Sequence, residues 1–229
     1  ARFFAAHRAA FDAANTRQLS ASRLDLEAMQ PVLQGRMLLV LQAESAAQIE
    51  AALKLARDYN LKLVIAGGSE AWMVADKLAA AKVPVLTGAM NNIPQSFAQL
   101  GTRQENAGLL SRAGVRVMLM GNAGGGDEEA FNVRNVKYEA GNAVAYGMSW
   151  DDALRAITLT PAEIFGMDDH VGSLSVGKDA NVVVWNGDPF EPLTTVDAVF
   201  LRGQRVQSRS RQDMLMQRYK TLPPQYGTP

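Results

Sequence analysis

Four side chains that follow apolar runs are the candidates for chemistry in this sequence: Gln42, Glu44, Glu70 and Asn122. Gln42 closes "MLLVLQ" and Glu44 stands two residues on. Glu70 follows "LKLVIAGGS", and Asn122 ends "VRVMLMGN" just ahead of Gly124-Gly125-Gly126. A carboxylate so placed can bind a cation, take a proton or accept from a ligand, and an amide can both donate and accept. These four are therefore the candidate substrate-binding residues. Each also has a plainer reading. Gln42 can be a hydrogen-bonded cap on a strand end, and carboxylates that open helices are favoured by the helix dipole. Asn122 and its glycines read as a turn needing positive φ, or as a backbone nest that holds an anion.

Other chemistry is thinly supplied. Cysteine is absent, so thiolate metal sites, disulfides and a cysteine nucleophile are excluded. The two histidines are His7, on a helical stretch, and His170, in a loop. Neither falls near a strand end, and both read as structural or solvent-facing. Trp72, Trp150 and Trp185 read as core or domain-interface residues. With 23 basic and 23 acidic side chains, nothing in the charge balance attracts nucleic acid or an anionic membrane. No uninterrupted apolar run approaches the roughly 20 residues of a membrane span.

The elements that must position these residues follow from hydrophobic pattern. "MLLVLQ" (37–42) is a continuous apolar run, as in a strand buried on both faces. After it, Ile49, Ala52, Leu53 and Ala56 recur at helical spacing. "LKLVIAGG" then reads as a strand, and "SEAWMVADKLAAAK" as a helix with Ala71, Val74, Ala75 and Leu78 on one face. "VPVLTG" (83–88) and "VRVMLMGNAGGG" (115–126) are further strands, separated by the helical "RQENAGLLSRAG". Strand–helix alternation of this kind means βαβ units and a parallel sheet, each helix packed outside. Four units can make a small open sheet or half of an eight-stranded barrel.

Beyond residue 145 the pattern is helical. "SWDDALRAIT" has Ser149 as N-cap, and "TPAEIFG" reads as a helix capped by Thr160, with Glu163 completing a capping box and Gly166 as terminator. A strand at 180–185 and a hairpin over 199–207 follow. Three short strands cannot bury a sheet face alone. The chain opens on "ARFFAAHRAAFDAAN", an amphipathic helix rather than a start methionine or signal peptide, and reads as beginning in mid-protein.

The run "NVRNVKYEAGNAVAYGMSWDDALRAITLTPAEIFGMDDHVGSLSVGKDANVVVWNGDP" resembles the C-terminal part of the amidohydrolase superfamily, in its imidazolonepropionase-related and prolidase-like branch. Ala153-Leu154, Thr160-Pro161-Ala162, "GSLSVGKDAN", the "VFLRGQRV" hairpin and the final "RQDMLMQRY" carry the match. The resemblance implies an α/β fold: the second half of a (β/α)8 TIM-type barrel plus the C-terminal strands of a small composite β-sandwich. The implied boundaries are 1–170 for the half barrel, 171–210 for the sandwich strands and 211–229 for a helix and tail. A missing N-terminal half of the same protein, or a second chain, would complete both.

Family members hydrolyse non-peptide C–N and related bonds with divalent metal, typically zinc, at the strand ends. By this resemblance the histidines of strands five and six fall at Gln42 and Gly67, and the aspartate of strand eight at Asn122. No metal ligand is therefore expected from this segment, and no cofactor. The implied function is an amidohydrolase-like protein with a degraded metal site: a non-catalytic subunit, a binding protein, or an enzyme with changed or lost activity. Two alternatives stay open: an active metal-dependent hydrolase using ligands on the unseen part, and a small-molecule-binding α/β module.

Overall fold

The structure is a computed structural model that describes residues 1–13, 21–90, 93–121, 133–206 and 211–220. Its first elements are short helices: α1 (Arg2–Ala6), α2 (Arg8–Asp12), α3 (Arg23–Ala28) and α4 (Gln30–Leu33). The single opening helix expected from sequence is broken at His7, whose backbone (φ −124°, ψ 24°) leaves helical geometry. The His7 ring stacks on Phe3, and its Nδ1 lies 2.9 Å from the Phe3 carbonyl. Phe4 is buried and packs edge-on against Phe11.

Next comes a run of strand–helix units. Strand β1 (Leu39–Ala43) leads to α5 (Ala46–Tyr59), which starts at a capping box between Ser45 and Gln48. Asn60, at φ +52°, ends the helix in the left-handed conformation that asparagine tolerates. The expected face is the buried one: Ile49, Ala52 and Ala56 are buried and Leu53 packs beside them. Full burial of Ile49 contributes roughly 1.5–3 kcal/mol.

Strand β2 (Leu63–Gly67) is followed not by one helix but by a 3-10 turn, Ala71–Val74, and then α6 (Ala75–Ala81). The break lies at Val74, whose backbone (φ −126°, ψ 25°) leaves helical geometry, while the Trp72 N–H, free in the first turn, donates to Asn106 Oδ1 at 3.0 Å. Ala71, Val74, Ala75 and Leu78 are nonetheless all buried, as their spacing predicted. Strand β3 (Val85–Thr87), α7 (Asn106–Arg112) and β4 (Val117–Leu119) complete the set.

The four strands pair in consecutive order and all in parallel. The register joins Gln42 to Ala66, Ala66 to Leu86, and Leu86 to Met118. One face of the sheet packs on the helices to form the main core, with Ile65, Val85 and Val117 against Ile49, Leu78 and Leu110. The other face is only partly covered: Val64 and Met118 pack with Ile164, while Val40 remains 46% exposed.

Three further helices close the core: α8 (Val136–Ala145), α9 (Trp150–Ile157) and α10 (Leu159–Ile164). Ser149 caps α9 by accepting from the Asp152 N–H at 3.1 Å. The expected N-cap at Thr160 is not one. Helix α10 begins at Leu159, and Thr160 lies buried in its first turn. The chain runs almost directly from α9 into α10, with the Thr158 hydroxyl donating back to the Leu154 carbonyl at 2.6 Å, so no extended residue precedes Thr160. Gly166, at φ +67°, does follow the helix end.

A second, antiparallel sheet holds β5 (Val182–Trp185), β6 (Val196–Leu201) and β7 (Gln204–Arg205). Arg202 and Gly203, both at positive φ, make the tight turn that matches strand twist. Val183, Val184, Val196 and Leu201 are exposed on this sheet. It is tied to the helices by Trp150, whose Nε1 donates to Asp188 at 3.0 Å and whose ring packs on Phe190, and by Lys137 over the Trp185 ring. Helix α11 (Arg211–Tyr219) is exposed along its length.

Candidate functional site at the strand ends

Backbone pairing between β1 and β2 continues past the strands. Gly68 donates to the Ala43 carbonyl and Glu70 to the Glu44 carbonyl, each at 2.9 Å. This sets Glu44 and Glu70 side by side at the C-terminal end of the sheet, where ligands bind in parallel α/β folds. The two carboxylates do different things. Glu44 turns toward the β2 loop, where its Oε2 accepts from the Ser69 hydroxyl at 2.6 Å and from the Ser69 N–H at 3.2 Å. Glu70 spans two loops, accepting from the Ala46 N–H at 3.0 Å and the Gly101 N–H at 2.9 Å.

A third carboxylate sits deeper. Glu139, on the inner side of α8, is 1% exposed and accepts from the N–H groups of Ala89 and Met90 at 2.6 and 2.8 Å. The neighbouring Asn142 amide donates to the Ala89 carbonyl. Together they hold the chain as it leaves β3. Sequence reasoning missed Glu139. Its signal was present: a lone carboxylate in register with Ala140 and Ala143 on the apolar face of "VKYEAGNAVA".

The segment after β3 is strapped down. Trp72 Nε1 donates to the Gly101 carbonyl at 2.8 Å, so both backbone groups of Gly101 are held by the 70–72 turn. Asn106 is buried, with its amide nitrogen donating to the Gly68 carbonyl and its oxygen accepting from the Trp72 N–H. Arg103 lies over the Trp72 ring, 4.7 Å from its centroid, and its Nε pairs with Glu105 at 3.1 Å. That hydrogen bond holds the Glu105 carboxyl below its ordinary range and raises the Arg103 guanidinium. These braces shape a cleft floored by Gly67 and Thr87, walled by Glu44 and Asn106, with Arg103 and Ile93 at its mouth.

The sequence candidates are therefore only partly brought together. Glu44 lines the cleft, and Glu70 braces its wall. Gln42 shares a strand face with Val40, is exposed, and its amide has no hydrogen-bond partner among the described residues. Gly67 pairs with Ala43 rather than with Gln42, on the opposite face of the sheet. Asn122 and the glycines after it lie outside the described residues. His170 is exposed beside Asp169, far along the chain from any strand end of the parallel sheet. Among the described residues, no group of three or more His, Asp and Glu side chains gathers closely enough to hold a metal ion.

Comparison with known proteins places this arrangement. Residues 79–206 match the model of the amidohydrolase family. A curated relative, the amidohydrolase tasK of Hapsidospora irregularis, is 36% identical over 63 residues, which is 28% of this chain and 6% of that protein. The crystal structure of an amidohydrolase from Thermotoga maritima MSB8 superposes with a TM-score of 0.76 at 28% identity, covering 91% of this chain and 52% of that one. Two more distant structures share the fold at a TM-score of 0.55. One is a prolidase complexed with N-methylphosphonate-L-proline, at 22% identity over 74% of this chain and 45% of its own. The other is an adenosine deaminase from Xanthomonas campestris with bound zinc, at 19% identity over 86% and 52%. The chain thus spans about half the length of these solved structures. Since the family model takes in more than half of its residues, from α6 through β7, this chain belongs to the amidohydrolase family.

Proposed function

We infer that this chain is the second half of a (β/α)8 amidohydrolase-type protein, and that its strand ends bind a ligand without contributing metal ligands. The observation that carries this reading is how the strand-end carboxylates are used. Glu44 and Glu70 are turned onto backbone N–H groups and Ser69, which hold them in place. Zinc, the metal of the related deaminase, needs about three nitrogen, sulfur or carboxylate donors. The residues here do not fit it. Gln42 offers a neutral amide, Gly67 offers no side chain, and a ligand set built from Glu44 and Glu70 would compete with the four hydrogen bonds that these carboxylates accept from the loops.

The half-barrel reading is supported by the consecutive parallel order of four strands and by coverage of about half of each matched structure. The partly bare sheet face around Val40 and the exposed valines of β5 and β6 support a covering segment, supplied by the first half of the same protein or by a second chain. The same reading makes the C-terminal sheet one share of a composite sandwich.

The test is elemental analysis and an anomalous-scattering map on full-length protein never exposed to chelator. The expected result is no metal bonded to any side chain between residues 37 and 121. A zinc ion bonded to one of them overturns the reading and restores a metal-dependent hydrolase.

A further inference from the structure

The cleft presents two opposite charges that do not meet. Glu44 Oε2 is occupied by Ser69, but Glu44 Oε1 has no hydrogen-bond partner among the described residues. Arg103 spends its Nε on Glu105, and its two terminal nitrogens have no partner among the described residues. Both side chains line the same cleft, yet no ion pair joins them. Each is also held in place: Glu44 by two donors from Ser69, Arg103 by the Trp72 ring and Glu105. A carboxylate oxygen and a guanidinium edge, both oriented beforehand and not paired with each other, form a charge-complementary pair for a ligand that carries both signs.

We propose that this cleft binds a small zwitterion of the α-amino acid type, its ammonium on Glu44 Oε1 and its carboxylate on Arg103. The proposal rests on the reading of the strand ends as a binding surface and names the class of ligand. The direction of binding follows from the charges. Glu44 lies half-buried against Gly67, and its negative charge attracts an ammonium and repels a carboxylate. Arg103 stands at the exposed mouth, where its fork can take a carboxylate through two parallel bonds. Ile93, exposed at the same mouth, offers apolar contact for a short side chain. Neutral amide side chains at Gln95 and Gln99 complete the rim without adding net charge.

The experiment is an NMR titration of the full-length protein with three probes: L-alanine, L-alaninamide and N-acetyl-L-alanine. The amide keeps only the positive charge and the acetyl compound only the negative one. L-alanine is expected to bind roughly tenfold or more tightly than either, since each lost charge-assisted hydrogen bond is worth about that factor. Glu44→Gln should erase the preference of L-alanine over its acetyl derivative, and Arg103→Gln its preference over the amide. Equal binding of the three probes, or no binding of L-alanine at millimolar concentration, overturns the proposal. The probe series on unaltered protein decides this even if a variant misfolds. An anomalous-scattering map of the same protein separates the two readings: zinc bonded to a side chain between residues 37 and 121 with the probe preference intact defeats the metal-free strand ends alone, and lost preference without such zinc defeats the zwitterion site alone.

Discussion

The Glu44 carboxylate occupies the space that a side chain at Gly67 would need. A Cβ built on Gly67 falls 2.6 Å from Glu44 Cδ and 2.8 Å from Oε2, and Gly67 itself has φ +88°. The glycine is thus required twice, by backbone conformation and by a neighbour that has moved into its place. Gly67→Ala should destabilise the full-length protein by about 1–3 kcal/mol in urea unfolding. In a double-mutant cycle Glu44→Ala should recover part of that loss, with a coupling of about 0.5 kcal/mol or more. Strict additivity would mean that the two residues do not compete for the same space.

Glu139 is the carboxylate with most to lose. Replacing it with alanine leaves the buried N–H of Ala89 without a partner, at a cost of about 2–3 kcal/mol. Glu139→Gln keeps one acceptor oxygen and should cost clearly less. Hydrogen exchange at the Ala89 and Met90 amides is the sharper readout, since both should lose protection in Glu139→Ala before the rest of β3 does. Unchanged exchange there would remove Glu139 from its role in holding the β3 exit.

The Arg103–Glu105 pair predicts a pH response. The folded Glu105 carboxyl is held below its ordinary range by the hydrogen bond from Arg103. A depressed carboxylate stabilises the fold above its unfolded pKa, near 4.3, and loses that contribution as pH falls through the lower folded value. Trp72 fluorescence, reporting the stacked Arg103, should therefore be flat from pH 8 to about 5 and change only below about 4. The change should vanish in Arg103→Gln. An identical titration in that variant would assign it to other carboxylates.

Gly141 sits where α8 meets the Phe190 turn, and a Cβ there would stand 2.9 Å from the Phe190 carbonyl oxygen. Helix propensity alone favours Gly141→Ala by about 1 kcal/mol. The obstacle is backbone, which cannot swing aside as a side chain can, so overpacking of about 1–3 kcal/mol should win. A net destabilisation, with Trp150 fluorescence shifted as its contact with Phe190 loosens, is the expected result. A stabilised variant would show that the turn yields.

What the sequence revealed and what it hid divide along physical lines. Strand order, parallel pairing and the buried faces of α5 and α6 were legible because periodicity records which side of an element meets the core. The Ser149 cap was legible because its partner lies three residues away. Thr160 misled because Thr-Pro-x-Glu is a sound local signal, overridden here by a helix that has already begun at Leu159. Within the site, Glu44 and Glu70 could be seen as carboxylates after strands, but not what they grip. Ser69 is 25 residues from Glu44, Gly101 is 31 from Glu70, and Ala89 is 50 from Glu139. Partners so distant along the chain leave no periodic trace. Arg103 and Asn106 escaped for the same reason, since their surroundings come from the 68–72 turn.

Glu70 carries a consequence for how such a protein can change. In parallel α/β folds each strand-end loop is ordinarily a separate module, replaced or lengthened without consulting its neighbours. Here one carboxylate from the second loop is shared between the start of α5 and Gly101, so three loops are fastened at a single point. An insertion in any one of them must either keep the distance to Glu70 or release the other two. Diversification by swapping single loops is blocked at this rim, and new specificity would have to arise by point substitution within the fastened frame.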